Sequence, residues 1–377
     1  MKTKLSVWQA SCIITGYGIG GGVMAMPYLA ERNGVVVSLI ILVVAYFASL
    51  LMHMMVADLS LRAGSGQITV VFEKFLFKGR FKNLLTIVFF AMIAVVLLTT
   101  LATYITGAGE ILSAHFDIDP IWGRLIFYVA AASVVLFGLK AVGLSETIAV
   151  IVIFALIGVF TIASLMNIRN PLPTAPGAWN EALAFFGMAM FSFVAFFSIP
   201  QAVEGLGGDV KKIKKAVVIG FLNIFIMIFL ITFCAMLAST EITPLAMLGW
   251  SEGIGVWAQI LGSAFALLAM VTTYWSISLA LADIIKVQTK LNRVVSWLLA
   301  TFPTLLLTLI LQGGFLEFVR LAGGVNAILI AVLLAPTFKG ADRVEPTRLM
   351  GRFGALPILI FVAITYILMA IGSMVEI

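Results

Sequence analysis

Thr15-Gly16-Tyr17-Gly18-Ile19-Gly20-Gly21-Gly22-Val23-Met24-Ala25-Met26-Pro27 lies inside a long apolar run near the start of the chain. Five of the seven residues from Gly16 to Gly22 are glycine. Each costs a helix about 1 kcal/mol against alanine, and Pro27 removes a further backbone donor. A continuous helix here is weak, so the reading is a helix that breaks. Unwinding frees N–H and C=O groups that must find partners away from lipid, and a bound zwitterion or cation can supply them. The competing reading is a packing face, because Gly16/Gly20 and Gly18/Gly22 are small-xxx-small pairs. Gly16-x-Gly18-x-x-Gly21 also matches the dinucleotide fingerprint formally, but it follows no strand.

The rest of the chain has the same character. Of 377 residues, 62% are hydrophobic and 11% charged, against roughly 25% charged in a soluble domain. Mean hydropathy is +1.17. The apolar residues come in blocks near the ~20 needed to cross a bilayer. The blocks predict eleven spans: 8–30, 35–61, 84–112, 122–140, 144–166, 182–206, 216–238, 255–284, 294–311, 315–337 and 353–375. The blocks are continuously apolar rather than alternating, so the fold class is an all-α membrane protein. The first run is too long for a signal peptide and lacks a cleavage site. Cys12 and Cys234 have no redox or metal spacing. The net charge of +6 sits in short loops, which excludes a nucleic-acid stripe.

Nineteen of the 23 Lys and Arg fall on one side if the N-terminus is cytoplasmic; Arg32, Arg124, Arg169 and Arg320 fall on the other. The positive-inside rule therefore predicts N-terminus in and C-terminus out, in a cell membrane. In the longest cytoplasmic loop, Ile68 to Phe77 reads as an apolar-basic stretch lying on the membrane surface. The proline-rich loop 167–181 divides the chain into five spans and six. Five is odd, so structural repeats would have to be inverted: repeat one 8–166, repeat two 182–337, with 353–375 an extra helix on a single transporter domain, 1–377. That plan requires span 6 to be interrupted as span 1 is. Span 6 holds Ser192-Phe193-Val194-Ala195-Phe196-Phe197-Ser198-Ile199-Pro200, and Pro200 is expected to break the helix at Ile199.

From these residues the mechanism is a substrate carboxylate at the N–H groups of the half-helix beginning near Gly21. An ammonium or cation meets the carbonyls of Thr15 to Gly18. Phe193, Phe196 and Phe197 pack the substrate side chain.

The chain resembles the hydroxy/aromatic amino acid permease family of the amino acid–polyamine–organocation superfamily. Five motifs carry the likeness, in order: Ile19 to Pro27, Thr103-Tyr104-Ile105-Thr106-Gly107-Ala108-Gly109, Gly138-Leu139-Lys140-Ala141-Val142-Gly143, Gly207-Gly208-Asp209 with the lysines that follow, and Thr272-Thr273 with Asp283. The resemblance implies eleven helices, interrupted helices 1 and 6, and ion-coupled symport of neutral, aromatic or hydroxy amino acids by alternating access. It places substrate at Gly18, Gly20, Gly21, Gly22, Tyr104, Ser192, Phe193 and Phe196. It implies a sodium site at Thr15, Gly18, Thr272, Thr273 and Ser276, Thr272 and Ser276 sharing a helix face. Phe196 departs from the histidine, and Glu110 from the small polar residue, of aromatic members. Some proton-coupled relatives carry a lysine in helix 5; span 5 has none, so sodium and a carboxylate-based proton route both stay open.

Glu110, Glu204 and Arg320 are the proton or gate candidates, with a Glu110–Arg320 pair expected outside. Asp58, Glu146 and Asp283 read as interfacial charges or structural pairs, and His53 as a packed residue. The partners expected are an amino acid and the bilayer; no cofactor is expected beyond sodium or a proton. A channel, or an amino-acid sensor on a transporter fold, is the alternative. A membrane-embedded enzyme lacks a nucleophile motif or metal pair.

Overall fold

The structure, a computed structural model, describes residues 4–20, 22–64, 66–242, 247–310 and 315–375; of residues 247–248, 309–310, 315–323 and 326 it describes the backbone only. The described residues form α-helices joined by short turns, with one 3₁₀ turn and no strand.

The glycine-rich run does break. α1 (Val7–Gly18) stops at the glycines and α2 (Gly22–Asn33) resumes beyond them. Their axes meet at 60°. The break is shorter than the sequence reading had it. Thr15 is still helical, and its carbonyl accepts from Ile19 N at 3.1 Å. Pro27 lies inside α2 without ending it. α1 starts on a capping box, with Ser6 Oγ accepting from Gln9 N, which offsets one of the unpaired N–H groups of its first turn.

α3 (Val35–Arg62) follows at Gly34, whose φ of +71° suits glycine. α4 (Ile68–Phe75), α5 (Lys82–Phe116), α6 (Pro120–Leu136) and α7 (Leu139–Met166) complete the first half. α4 is the apolar-basic stretch expected at the membrane surface. It packs on α5 and α14 (Phe315–Asp342), with Phe72 against Phe77 and Phe89 and Ile68, Val71, Phe72 and Phe75 buried.

α8 (Trp179–Ser192) and α9 (Ser198–Gly205) are the two halves of the sixth expected span. Here the sequence reading needs correction. The break runs from Phe193 to Phe197, ahead of the proline. Ile199 and Pro200 are helical, in the first turn of α9. Proline is tolerated there because the N–H it lacks would have no helical partner anyway.

α10 (Val210–Ala238) opens on Asp209, whose carboxylate accepts from Lys212 N at 3.1 Å. α11 (Met247–Ile254) is a short helix the sequence reading left as loop. α12 (Val256–Thr289), α13 (Arg293–Ile310), α14 and α15 (Leu356–Met374) finish the chain. Among the described residues α3, α5, α7, α10, α12 and α15 are each long and apolar enough to cross a membrane, and α1 with α2 adds one bent candidate; α6 and α13 are shorter apolar helices.

α1 is the axis of the molecule. It is buried from Ala10 to Gly18 and packs on α7, α9, α10 and α12, while α2 packs on α8 and α10. The two broken spans therefore lie against each other. Large apolar side chains face outward on α3, α6, α7 and α13, among them Ile40, Trp122, Ile162 and Val294, a surface suited to lipid rather than water. α15 sits on α8 and α14. Gly187 and Gly372 let the α8 and α15 backbones approach: a Cβ on Gly187 would fall 2.7 Å from Gly372 C.

Candidate functional site

Both breaks open on one cavity. Its wall is Tyr17, Gly18, Gly20 and Gly22 from the first break, Phe191, Ser192 and Val194 from the second, Leu97, Thr100 and Tyr104 from α5, and Thr273 and Ile277 from α12. Its volume is about 30 Å³, enough for a water or two and too small for a free amino acid.

The glycines are needed for space. A Cβ on Gly20 would lie 2.5 Å from Tyr104 Oη and 3.2 Å from Thr273 Oγ1. One on Gly22 would lie 2.8 Å from both Phe191 Cδ1 and Ser192 Oγ. α2 begins at Gly22, so the positive end of its dipole lies at the cavity wall. Ser192 is 2% exposed and its hydroxyl donates back to Met188 O at 3.0 Å. Hydroxyls and helix-end backbone thus supply the polar wall, while Leu97, Val194, Ile277 and the rings of Tyr17 and Phe191 supply the apolar one.

Gly18, Gly20, Gly22, Tyr104 and Ser192, singled out in the sequence, come together in this wall. Gly21 lies outside the described residues. Phe193 and Phe196 are not in the wall. Phe193 packs on Tyr46, Phe221 and Phe225. Phe196 lines a separate crevice with Phe72, Phe89 and Ile330. Sequence reasoning missed Phe191, Leu97 and Thr100. Phe191 precedes Ser192 in the quoted motif and Thr100 lies one turn before Tyr104, so helical spacing from the known residues was the available signal.

Behind the cavity, α12 meets the last turns of α1. Thr273 Oγ1 lies 3.1 Å from Gly16 O and 3.0 Å from Ala269 O, two acceptors for its one proton. Ser276 Oγ lies 2.7 Å from Glu146 Oε1 and 3.4 Å from Ile13 O. The pair on α1 is thus Thr273 with Ser276, at i and i+3. Thr272 instead bonds its own helix at Ala269 O, with its Cβ beside Gly16. Thr15 faces α10: its hydroxyl lies 2.8 Å from Ser11 O and 3.3 Å from both Gly220 O and Asn223 Nδ2.

Of the charges, Glu110 is exposed at the end of α5, and the Arg320 side chain lies outside the described residues, as does the expected pair. Glu204 is ion-paired with Lys4 at 2.7 Å and is not in the cavity wall. Asp58 is a structural pair as read: it is ion-paired with Arg62 at 2.7 Å, both fully buried, and accepts from Arg348 N and Leu349 N. His53 holds the second break. Its Nδ1 lies 2.7 Å from Ser49 O and its Nε2 accepts from Ala195 N at 2.9 Å. Those partners fix the neutral ring with its hydrogen on Nδ1.

The chain matches the family model described as the tryptophan/tyrosine permease family over residues 3–372. No curated protein sequence matches it. Solved transporters share its fold. Mhp1, a nucleobase-cation-symport-1 family transporter in a closed conformation with bromovinylhydantoin bound, aligns at TM-score 0.70 and 12% identity, over 98% of this chain and 91% of Mhp1. MhsT in complex with L-phenylalanine aligns at TM-score 0.69 and 16% identity, over 99% of this chain and 100% of MhsT. A manganese transporter of Eremococcus coleocola aligns at 0.63 and 14%, over 98% and 85%.

Proposed function

Because the chain belongs to the tryptophan/tyrosine permease family, and is by family and apolar helices an integral membrane transporter, we propose that it is an ion-coupled symporter of aromatic amino acids. It carries them through the cavity at the two helix breaks by alternating access. One observation carries the reading: both interrupted spans, far apart in sequence, contribute backbone and hydroxyls to one buried space. The amino acid's carboxylate binds at the start of α2, where helix-end N–H groups and dipole favour an anion. Its ammonium meets the carbonyl end of α1. Its ring enters between Tyr17, Phe191 and Leu97, with the hydroxyls of Thr100 and Tyr104 available to a polar ring substituent. Among the described residues the wall holds no His, Cys, Met, Asp or Glu, a donor set that suits an organic zwitterion better than a transition metal.

The same reading takes eleven crossings, an inverted repeat of spans 1–5 and 6–10, and the N-terminus in the cytoplasm with the C-terminus outside. The lysines at the start of α10 and Arg343, Arg348 and Arg352 after α14 then share the cytoplasmic side.

Purified protein in liposomes tests it. Labelled L-tryptophan, L-tyrosine and L-phenylalanine should accumulate under an imposed proton or sodium gradient, and unlabelled aromatic amino acids should compete. Gly20→Val, which drives side-chain atoms onto Tyr104 and Thr273, should weaken binding at least about tenfold, equivalent to ~1.4 kcal/mol. Accumulation of none of these amino acids under either gradient refutes the reading.

A further inference from the structure

A second hollow opens on the outer surface of the molecule, between α5 and α13. Val95, Leu98 and Thr99 form one wall, and Pro303, Leu306 and Leu307 the other. It holds about 370 Å³, and its lining is wholly apolar. Thr99 is no exception, because its hydroxyl lies 2.9 Å from Val95 O and 3.0 Å from Val96 O, on its own helix. Six lining residues are few for a docked protein, since a stable interface takes roughly 20–30 residues a side.

The depth of the hollow matches lipid. Pro303 lies ten residues beyond Arg293, the first residue of α13. That is about 15 Å along the helix axis, and the hydrocarbon of one leaflet is also about 15 Å thick. Val295, Leu299, Pro303 and Leu307 follow one another at i+4, in a row along one face of α13. Val295 and Leu299 are exposed, so an apolar track runs from the start of α13 to the hollow.

The start of that track is basic. Lys286, Lys290 and Arg293 are exposed, and among the described residues none of them is in an ion pair. The acidic side chain in the field of Lys286 and Arg293 is Asp283, which leaves the patch net positive. The Arg293 guanidinium lies over the α6–α7 turn at Gly138, two residues before exposed Lys140. Asn292 Oδ1 accepts from Val295 N at 2.9 Å, so the positive end of the α13 dipole meets the same patch.

We infer that this is a site for an anionic phospholipid. The phosphate binds at Lys290 and Arg293, and one acyl chain lies along Val295 and Leu299 with its end in the hollow. Charge selects the head group, because a zwitterionic lipid brings its own ammonium to a basic patch. The chain also bears on the cavity at the helix breaks. Leu97 and Thr100 wall that cavity, from the same turns of α5 that give Val95, Leu98 and Thr99 to the hollow. The lipid therefore braces, from the bilayer side, a helix that carries one wall of the candidate substrate site. Lipid binding does not depend on what the cavity carries; the brace rests on its reading as the amino acid site.

Photolabelling tests the site. Full-length protein in phosphatidylcholine bilayers receives a trace of phosphatidylglycerol with a diazirine at the end of one acyl chain. Label should concentrate in the peptides holding residues 95–99 and 303–307, above the outward faces of α3 and α7. Unlabelled phosphatidylglycerol should compete, and unlabelled phosphatidylcholine should not. Lys290→Gln combined with Arg293→Gln should lower the label at least about fivefold, and Thr99→Phe, which fills the hollow, should lower it too. Even labelling of all lipid-facing helices, or equal labelling by a phosphatidylcholine probe, overturns the inference. So does cross-linking of two copies through these residues, which would make the hollow a seam between copies. Uptake of labelled L-tyrosine and L-tryptophan into liposomes should be several-fold faster with phosphatidylglycerol than without it in wild type, and indifferent to it in the double variant. A wild-type rate that ignores phosphatidylglycerol removes the brace. If neither amino acid is carried, the substrate reading fails while the label still judges the lipid site. If the double variant does not fold, Thr99→Phe and the competition judge it, and unchanged label in Thr99→Phe overturns the inference.

Discussion

His53 shows what a single side chain does for a broken helix. Unwinding at Phe193–Phe197 leaves backbone N–H groups inside the protein, and the His53 Nε2 takes the one at Ala195. Deleting the acceptor strands a buried donor, which costs about 1–3 kcal/mol. His53→Ala should therefore lower the thermal midpoint of detergent-solubilised protein by several degrees, and His53→Gln, which keeps an acceptor, should lose less. Equal midpoints for wild type and His53→Ala would remove this role. The sequence placed His53 in packing, and it is packed against Phe221 with ring centroids 4.5 Å apart. Its duty to the break was not legible, because the partner lies 142 residues away. The setting of Glu146 was not legible for the same reason. Sequence gives depth along a helix, and by depth Glu146 resembles Asp58. Only the neighbours separate them: Asp58 has Arg62 and two backbone donors, and Glu146 has one hydroxyl.

Among the elements, apolar blocks translated readily into helices, because only continuous internal hydrogen bonding suits a chain in lipid. Ends were less legible. α7 begins at Leu139, directly after Gly138 with φ +78°, several residues before its apolar block does, since local backbone geometry rather than hydropathy sets that start. The packing of α4 on α5 and α14 was not legible, because an amphipathic face looks alike whether it meets lipid or protein. The second break was predicted in the right span for the wrong reason: Pro200 fits the start of a helix, and the unwinding lies in the five residues before α9. The small-residue contact of α8 with α15 gives a test at this scale. Gly187→Leu forces a side chain into the backbone at Gly372. Overpacking of this kind costs about 1–3 kcal/mol, and it should lower the thermal midpoint while leaving Gly158→Leu, where a Cβ meets nothing within 4 Å, close to wild type. A similar loss in both variants would mean that the contact is not special.

At the scale of the whole molecule, the N-terminal segment is tied to the far end of the second broken span. The amides of Lys4 and Leu5 donate to Gly205 O at 2.8 and 3.0 Å, and Lys4 pairs with Glu204. The ion pair is partly exposed, with side-chain exposures of 55% and 27%, so it is worth only about 0–1 kcal/mol. Glu204→Gln should therefore cost at most about 1 kcal/mol of stability, read as a small drop in the thermal midpoint of the solubilised protein. Added salt should produce much of the same effect in wild type. A far larger change would mean that Glu204 does more than pair with Lys4. The cavity at the two breaks holds about 30 Å³, so under the proposed alternating access its walls must part for any occupant. A molecule with the right head group and an oversized ring can enter while the helices are apart, yet it props them open. On that proposal such a compound is held without being carried, and ring size is what separates cargo from blocker.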